Sequence, residues 1–110
     1  MNQAQNLHQV KTLINTGEPV LIYFSGENCS VCKVLKPKIQ EAIEANFPKF
    51  KLLEVKTDIH KEVTSHFTVF SIPTLLVYFD TKEFFRVGRN ISIAAFIQDL
   101  KRPYTLFDED

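Results

Sequence analysis

Cys29 and Cys32 are the only two cysteines in the chain, and two residues, Ser30 and Val31, separate them. Thiols at this spacing suit disulfide exchange or metal ligation, and the same pattern also arises when two small buried residues fall close by chance. A bridge between them would close a very small loop and restrict the unfolded chain far less than a long-range bridge. In a reducing compartment such a pair points to redox or metal chemistry more than to a structural staple.

The setting favours chemistry. Val20-Leu21-Ile22-Tyr23-Phe24 is apolar throughout and too short for a helix, so it reads as a central strand buried on both faces. Ser25 to Asn28 forms a polar turn. From Ser30 to about Asn46, Val31, Val34, Leu35, Ile39, Ala42 and Ile43 recur on one face of an amphipathic helix. Pro37 lies inside that helix, and Phe47-Pro48 marks its exit. Residues three apart in a first helical turn share a side. Their separation falls near the roughly 4.4–6.8 Å between α-carbons that a disulfide tolerates. Cys29 is then placed at the helix start, where unpaired backbone donors and the helix dipole favour a thiolate. It is the expected nucleophile. Cys32, one turn inside, is the expected resolving thiol.

The other elements must hold this turn. Ala4, Leu7, Val10, Leu13 and Ile14 predict a helix from about Ala4 to Ile14, stopped by Gly17 and Pro19. Lys51–Lys56 is the next strand. Thr57 or Asp58 caps a short helix from about Ile59 to His66. Residues 67–72 connect to Pro73, and Thr74–Phe79 forms a second strongly apolar strand. Asp80-Thr81-Lys82 turns the chain into a hairpin partner, Glu83–Val87, which Gly88 ends. Ser92 caps a last helix whose Ile93, Phe96, Ile97 and Leu100 form one stripe, and Pro103 terminates it. Intervening helices imply parallel crossovers, and the closing hairpin makes the sheet mixed.

Composition narrows the function classes. The 110 residues fit one domain, with 45% apolar content and 13 basic against 13 acidic residues. A net charge of zero gives no general field for nucleic acid or an anionic membrane. The polar start Met1–Asn6 has no apolar signal core, and the apolar runs are too short to span a membrane. A soluble, cytoplasmic protein is expected. Asp108, Glu109 and Asp110 form an acidic end read as solvated. No phosphate loop, dinucleotide fingerprint or hydrolase elbow is present. His8, His60 and His66 have no zinc-site spacing to the cysteines, and two thiolates alone do not complete four-coordination. No metal and no cofactor are expected. A cysteine-ligated cluster shared between two chains is the weakest reading.

Cys29-Ser30-Val31-Cys32-Lys33 with Pro37, and Ser71-Ile72-Pro73-Thr74-Leu75-Leu76, resemble the active-site helix and the Ile-Pro-Thr loop of the thioredoxin family. The resemblance covers roughly residues 4 to 102. It implies an α/β thioredoxin-like fold: a mixed four- to five-stranded sheet flanked by helices on both faces, as one domain over residues 1–110. It also implies thiol–disulfide exchange on protein disulfides, with a thiol or flavoprotein reductant to restore the dithiol. By itself, Pro73 is read as a trans proline opening a strand, because cis X-Pro bonds are about one in twenty. The resemblance instead implies a cis Ile72–Pro73 bond lying against the cysteines. The Ile72 backbone then faces an extended substrate segment. Phe70 is assigned to protein docking, while most of Phe47, Phe50, Phe67, Phe84 and Phe85 are assigned to the core.

The chain departs from the family pattern at several positions. Asn28 replaces the usual tryptophan, and Ser30-Val31 replaces Gly-Pro, so both residues tune the exchange potential. Ser30 either donates to a Cys29 thiolate or is an ordinary turn serine. Tyr23 stands where the family has a buried aspartate, and a tyrosine of ordinary pKa about 10 is a poor base. Glu54 stands where that aspartate's lysine partner is found. It is read chiefly as a solvated strand residue, with a proton relay as the other reading. Glu27 opposes thiolate formation if it lies close. These departures also leave room for a second function, a redox-weak binding module that uses the fold to hold a protein partner.

Overall fold

The structure is a computed structural model, and it describes residues 1–109, apart from the side chain of Glu109. Asp110, part of the expected acidic end, lies outside the described residues. The elements in chain order are β1 (Asn2–Gln3), α1 (Leu7–Ile14), β2 (Val20–Ser25), α2 (Ser30–Asn46) and β3 (Lys51–Lys56), followed by α3 (Lys61–His66), β4 (Thr74–Phe79), β5 (Lys82–Val87) and α4 (Ile93–Glu109). The five strands form one mixed sheet in the order β1-β3-β2-β4-β5.

The apolar runs become the buried strands. Every residue of β2 and of β4 is buried, as expected for strands covered on both faces. Side chains alternate across the sheet and build two cores. On one face Leu21, Tyr23, Leu75, Val77 and Phe79 meet Cys32, Leu35, Ile39 and Ile43 of α2 and Phe96 and Leu100 of α4. On the other face Ile22, Phe24, Val55 and Leu76 meet Val10 and Ile14 of α1 and Val63 of α3.

Strand directions differ from the expectation of parallel crossovers. β1, β3 and β2 run parallel, but β4 is antiparallel to β2. The reversal thus occurs before the closing hairpin. The connection through α3 and residues 67–73 returns to the end of the sheet at which β3 finishes. Its consequence is functional: Phe24 pairs with Thr74, so Pro73 arrives beside the turn that follows β2.

Four boundaries also differ. β1 carries no strand signal in the sequence, because Asn2 and Gln3 are polar; backbone pairing with Leu53 and Glu54 holds it. Ala4 continues that extended path, donating its N–H to the Glu54 carbonyl at 2.8 Å. Helix α1 therefore begins at Leu7, capped by Asn6 Oδ1, which accepts from the Gln9 N–H at 2.8 Å. Neither Thr57 nor Asp58 caps α3, which starts after His60. The Thr57 hydroxyl instead donates to the Ser25 carbonyl at 3.0 Å.

Pro103 does not terminate α4. A proline inside a helix costs about 3 kcal/mol, and the following turn brings offsetting contacts. The Tyr104 ring packs 4.9 Å from Phe47 and stacks on Phe50. Its hydroxyl accepts from the Lys49 N–H at 3.0 Å, and Lys49 pairs with Asp108. Asp108 is thus engaged in an ion pair and is not merely solvated. Phe47, Phe50 and Phe67 are core residues, whereas Phe84 is half exposed and rests edge-on against Phe79.

At the hairpin, Asp80 and Thr81 take positive φ values of 51° and 69°. That pair of conformations matches the twist of a two-residue turn.

Candidate active site

Cys29 is the N-cap of α2, with extended backbone angles. Its Sγ accepts a hydrogen bond from the Cys32 N–H at 3.2 Å. The two cysteines are joined as a disulfide, with α-carbons 5.2 Å apart. Cys29 is 9% exposed and Cys32 only 2%. An N-cap position places a sulfur among unpaired N–H groups at the positive end of the helix dipole.

The Ile72–Pro73 peptide is cis. Pro73 is buried, Ile72 half-buried and Phe70 91% exposed. Ile72 packs against both cores. Gly26, in the turn before Cys29, lies against this side chain: a β-carbon there would stand 2.7 Å from Ile72 Cδ1, so the end of the Ile72 side chain would have to shift. The loop is pinned from two sides. The Thr74 hydroxyl donates to the Ser71 carbonyl at 2.7 Å. The Arg86 guanidinium donates to the Phe67 and Thr68 carbonyls at 2.9 and 3.0 Å, while Glu83 holds the same guanidinium.

Beneath the cysteines, the Tyr23 hydroxyl donates to the Cys32 carbonyl at 2.7 Å. Burial, reinforced by the charge of Glu54, pushes the Tyr23 pKa up to about 12. Tyr23 is a hydrogen-bond donor here and not a proton acceptor at neutral pH.

Glu54 is not a solvated strand residue; it is 1% exposed. Its carboxylate accepts from Ser25 Oγ at 2.7 Å, Lys36 Nζ at 2.6 Å and the Gln3 side-chain amide. Lys56 Nζ lies 3.5 Å away. Burial alone would raise its pKa. The hydrogen bonds from Lys36, Ser25 and Gln3, together with the Lys36 charge, outweigh burial and bring it down to about 2. Glu54 stays ionised and is too weak a base to relay protons near neutrality.

Glu27, Ser30 and Val31 are all exposed beside the cysteines. Among the described residues, no three His, Cys, Asp or Glu side chains gather to hold a metal ion. No described helix is long and apolar enough to cross a membrane.

Sequence reasoning missed Gly26, Ser25, Gln3, Lys36 and Arg86. Lys36 carries a signal, since it lies one helical turn after Cys32, and a glutamate between Leu53 and Val55 needs a cation if buried. Gln3 and Arg86 carry none, because only tertiary structure brings them to their partners.

A dithiol–disulfide pair at a helix N-terminus, set beside a cis-proline loop on a mixed sheet, defines a thiol–disulfide oxidoreductase. The model of the thioredoxin family matches residues 3–102. The chain belongs to the thioredoxin family. It is 32% identical over 108 residues to the thioredoxin-like protein YdfQ of Bacillus subtilis, covering 98% of this chain and 96% of that one. It is 41% identical over 64 residues to a thioredoxin of Chlamydia trachomatis, covering 58% of this chain and 62% of the relative. The fold is similar to oxidised mitochondrial thioredoxin 3 of Saccharomyces cerevisiae, with a TM-score of 0.81 at 20% identity over 93% of this chain and 94% of that one. The protein is a thiol–disulfide oxidoreductase of this family.

Proposed function

We propose that the protein reduces disulfides of other proteins in the cytoplasm, with Cys29 as nucleophile and Cys32 as resolving thiol. The Cys29 thiolate attacks one sulfur of the substrate disulfide. The Cys29–substrate bond forms, the substrate S–S bond breaks, and the departing sulfur takes a proton. Cys32 then loses its proton and attacks Cys29 Sγ. The second substrate sulfur leaves, carrying the electron pair of the broken bond. The substrate gains two electrons, and the enzyme ends as the Cys29–Cys32 disulfide. A thiol or flavoprotein reductant returns the two electrons.

The observation that carries this reading is the hydrogen bond from the Cys32 N–H to Cys29 Sγ at the α2 N-cap. It gives the two sulfurs unequal environments, which unequal roles require. Support for a substrate-aligning role of Ile72 and Pro73 comes from the pairing of Phe24 with Thr74, which brings the loop next to the turn after β2. In this reading the Ile72 backbone aligns an extended substrate segment, and Phe70 supplies an apolar contact outside it. Ser30, Val31 and Glu27 tune the exchange from the exposed rim.

The experiment is a Cys32→Ser variant exposed to cell extract. It is expected to accumulate mixed disulfides through Cys29 that dithiothreitol releases. Failure to form any such adduct, with the variant folded, would overturn the assignment.

A further inference from the structure

Glu54 is a buried charged side chain that the exchange steps do not use. Each element packed against it supplies a partner. Helix α2 gives Lys36, β2 gives Ser25, the edge strand β1 gives Gln3, and its own strand gives Lys56. Tyr23 is its register partner on β2 and faces the same side of the sheet. Tyr23 in turn reaches the Cys32 carbonyl. On the far side of Tyr23 the sheet continues with Leu75, and α4 closes the same core with Phe96 and Leu100.

Lys36 follows Cys32 by one helical turn on the same helix, so the two side chains are neighbours along it. An anion from the sheet and a cation from the helix thus meet under the turn that carries Cys32. Without Lys36, a nearly inaccessible carboxylate would lose its hydrogen-bonded cation and keep only Lys56, 3.5 Å away. Losing the closer side of a buried pair leaves a charge only partly compensated. A nearby anion compensated only in part disfavours a second anion, including a Cys32 thiolate.

We propose that Lys36 is a positioning residue for the resolving step: it balances the buried Glu54 charge beneath the Cys32 turn, so that Cys32 gives its proton to water and not to a carboxylate in the core. The proposal rests on the roles assigned to Cys29 and Cys32. In the step concerned, the Cys32 S–H bond breaks and its proton goes to water. The thiolate forms the Cys29–Cys32 bond, and the Cys29–substrate bond breaks with its electron pair on the departing sulfur. Glu54 and Tyr23 both keep their protonation states throughout. The low value of Glu54 and the high value of Tyr23 agree with this.

The test is stopped-flow release of thiopyridone from stoichiometric 4,4′-dithiodipyridine, a neutral disulfide, by the reduced protein. The first release reports attack by Cys29, and the second reports resolution by Cys32. In the wild type the second phase should follow a single ionisation. Lys36→Gln is expected to slow the second phase about tenfold near neutrality and raise its pH midpoint by about one unit. The first phase should change by no more than about twofold. Lys36→Arg should restore the second phase, because the charge returns. The double variant Lys36→Gln, Glu54→Gln should bring it to within about threefold of wild type, because both charges are gone. A second phase unaltered by Lys36→Gln would overturn the proposal. So would a double variant as slow as Lys36→Gln, which would assign Lys36 a packing role only. If Lys36→Gln does not fold, Lys36→Arg and the double variant decide by the same criteria. Loss of the first phase in the wild type would instead overturn the Cys29 assignment itself.

Discussion

The Tyr23 hydroxyl donates a 2.7 Å hydrogen bond to the Cys32 carbonyl, tying the middle strand of the sheet to the first turn of α2. The carbonyl lies in the turn whose N–H points back at Cys29 Sγ. Tyr23 therefore holds the backbone on which both sulfurs are arranged. With its pKa pushed up to about 12 by burial and by Glu54, it does so without exchanging a proton.

Tyr23→Phe separates anchoring from proton transfer. It leaves the Cys32 carbonyl without this donor while keeping the ring. The expected loss of stability is about 1–2 kcal/mol in urea unfolding. The pH midpoint of Cys29 alkylation should stay within about 0.3 units of wild type, because no base has been removed. A large change in that midpoint would assign Tyr23 a direct part in thiol ionisation.

Glu54 gives the fold an acid limit. Its folded pKa of about 2 lies below its ordinary 4.5, so the unfolded chain binds the proton more tightly. The stabilisation is fully present above pH 4.5 and is lost as pH falls through 2. Acid titration followed by circular dichroism should show a loss on the order of 2 kcal/mol across that window. Glu54→Gln should be less stable at neutral pH, with Lys36 left unpaired, and its acid limb should be shallower. An unchanged acid limb would show that Glu54 is not the responsible carboxylate.

Phe70 is 91% exposed at the edge of the cis-proline loop. Phe70→Ala should change folding stability by less than about 0.5 kcal/mol. It should raise the KM for a protein disulfide several-fold and leave 4,4′-dithiodipyridine reduction unchanged, because only the larger substrate reaches that ring. Equal effects on both substrates would place Phe70 in loop structure and not in docking.

Local signals made the frame legible. Val20–Phe24 and Thr74–Phe79 are apolar enough to be central strands whatever surrounds them, and Cys29, Cys32 and Pro73 carry motifs. Glu54 reads as solvated from the sequence because a single strand does not reveal its neighbours. Its partners Gln3, Ser25, Lys36 and Lys56 come from four strands and helices. Short β1 was illegible for the same reason: two polar residues become a strand only because β3 offers an edge. Ala4 fits a helical spacing by coincidence and is instead buried in extended backbone. Pro103 looked like a stop because the local cost of proline was visible, while the contacts of Tyr104 with Phe47 and Lys49 were not. The reversed direction of β4 was hidden by the helix before it, which suggested a parallel crossover.

If the α2 N-cap makes Cys29 the reactive thiol, iodoacetamide alkylation of the fully reduced protein across pH, with mass mapping of the modified residue, will show it. One fast modification is expected, at Cys29, with a midpoint below the roughly 8.5 of an ordinary cysteine, while Cys32 reacts much more slowly. Alkylation of both cysteines at the same rate and with the midpoint of an unfolded peptide would contradict it.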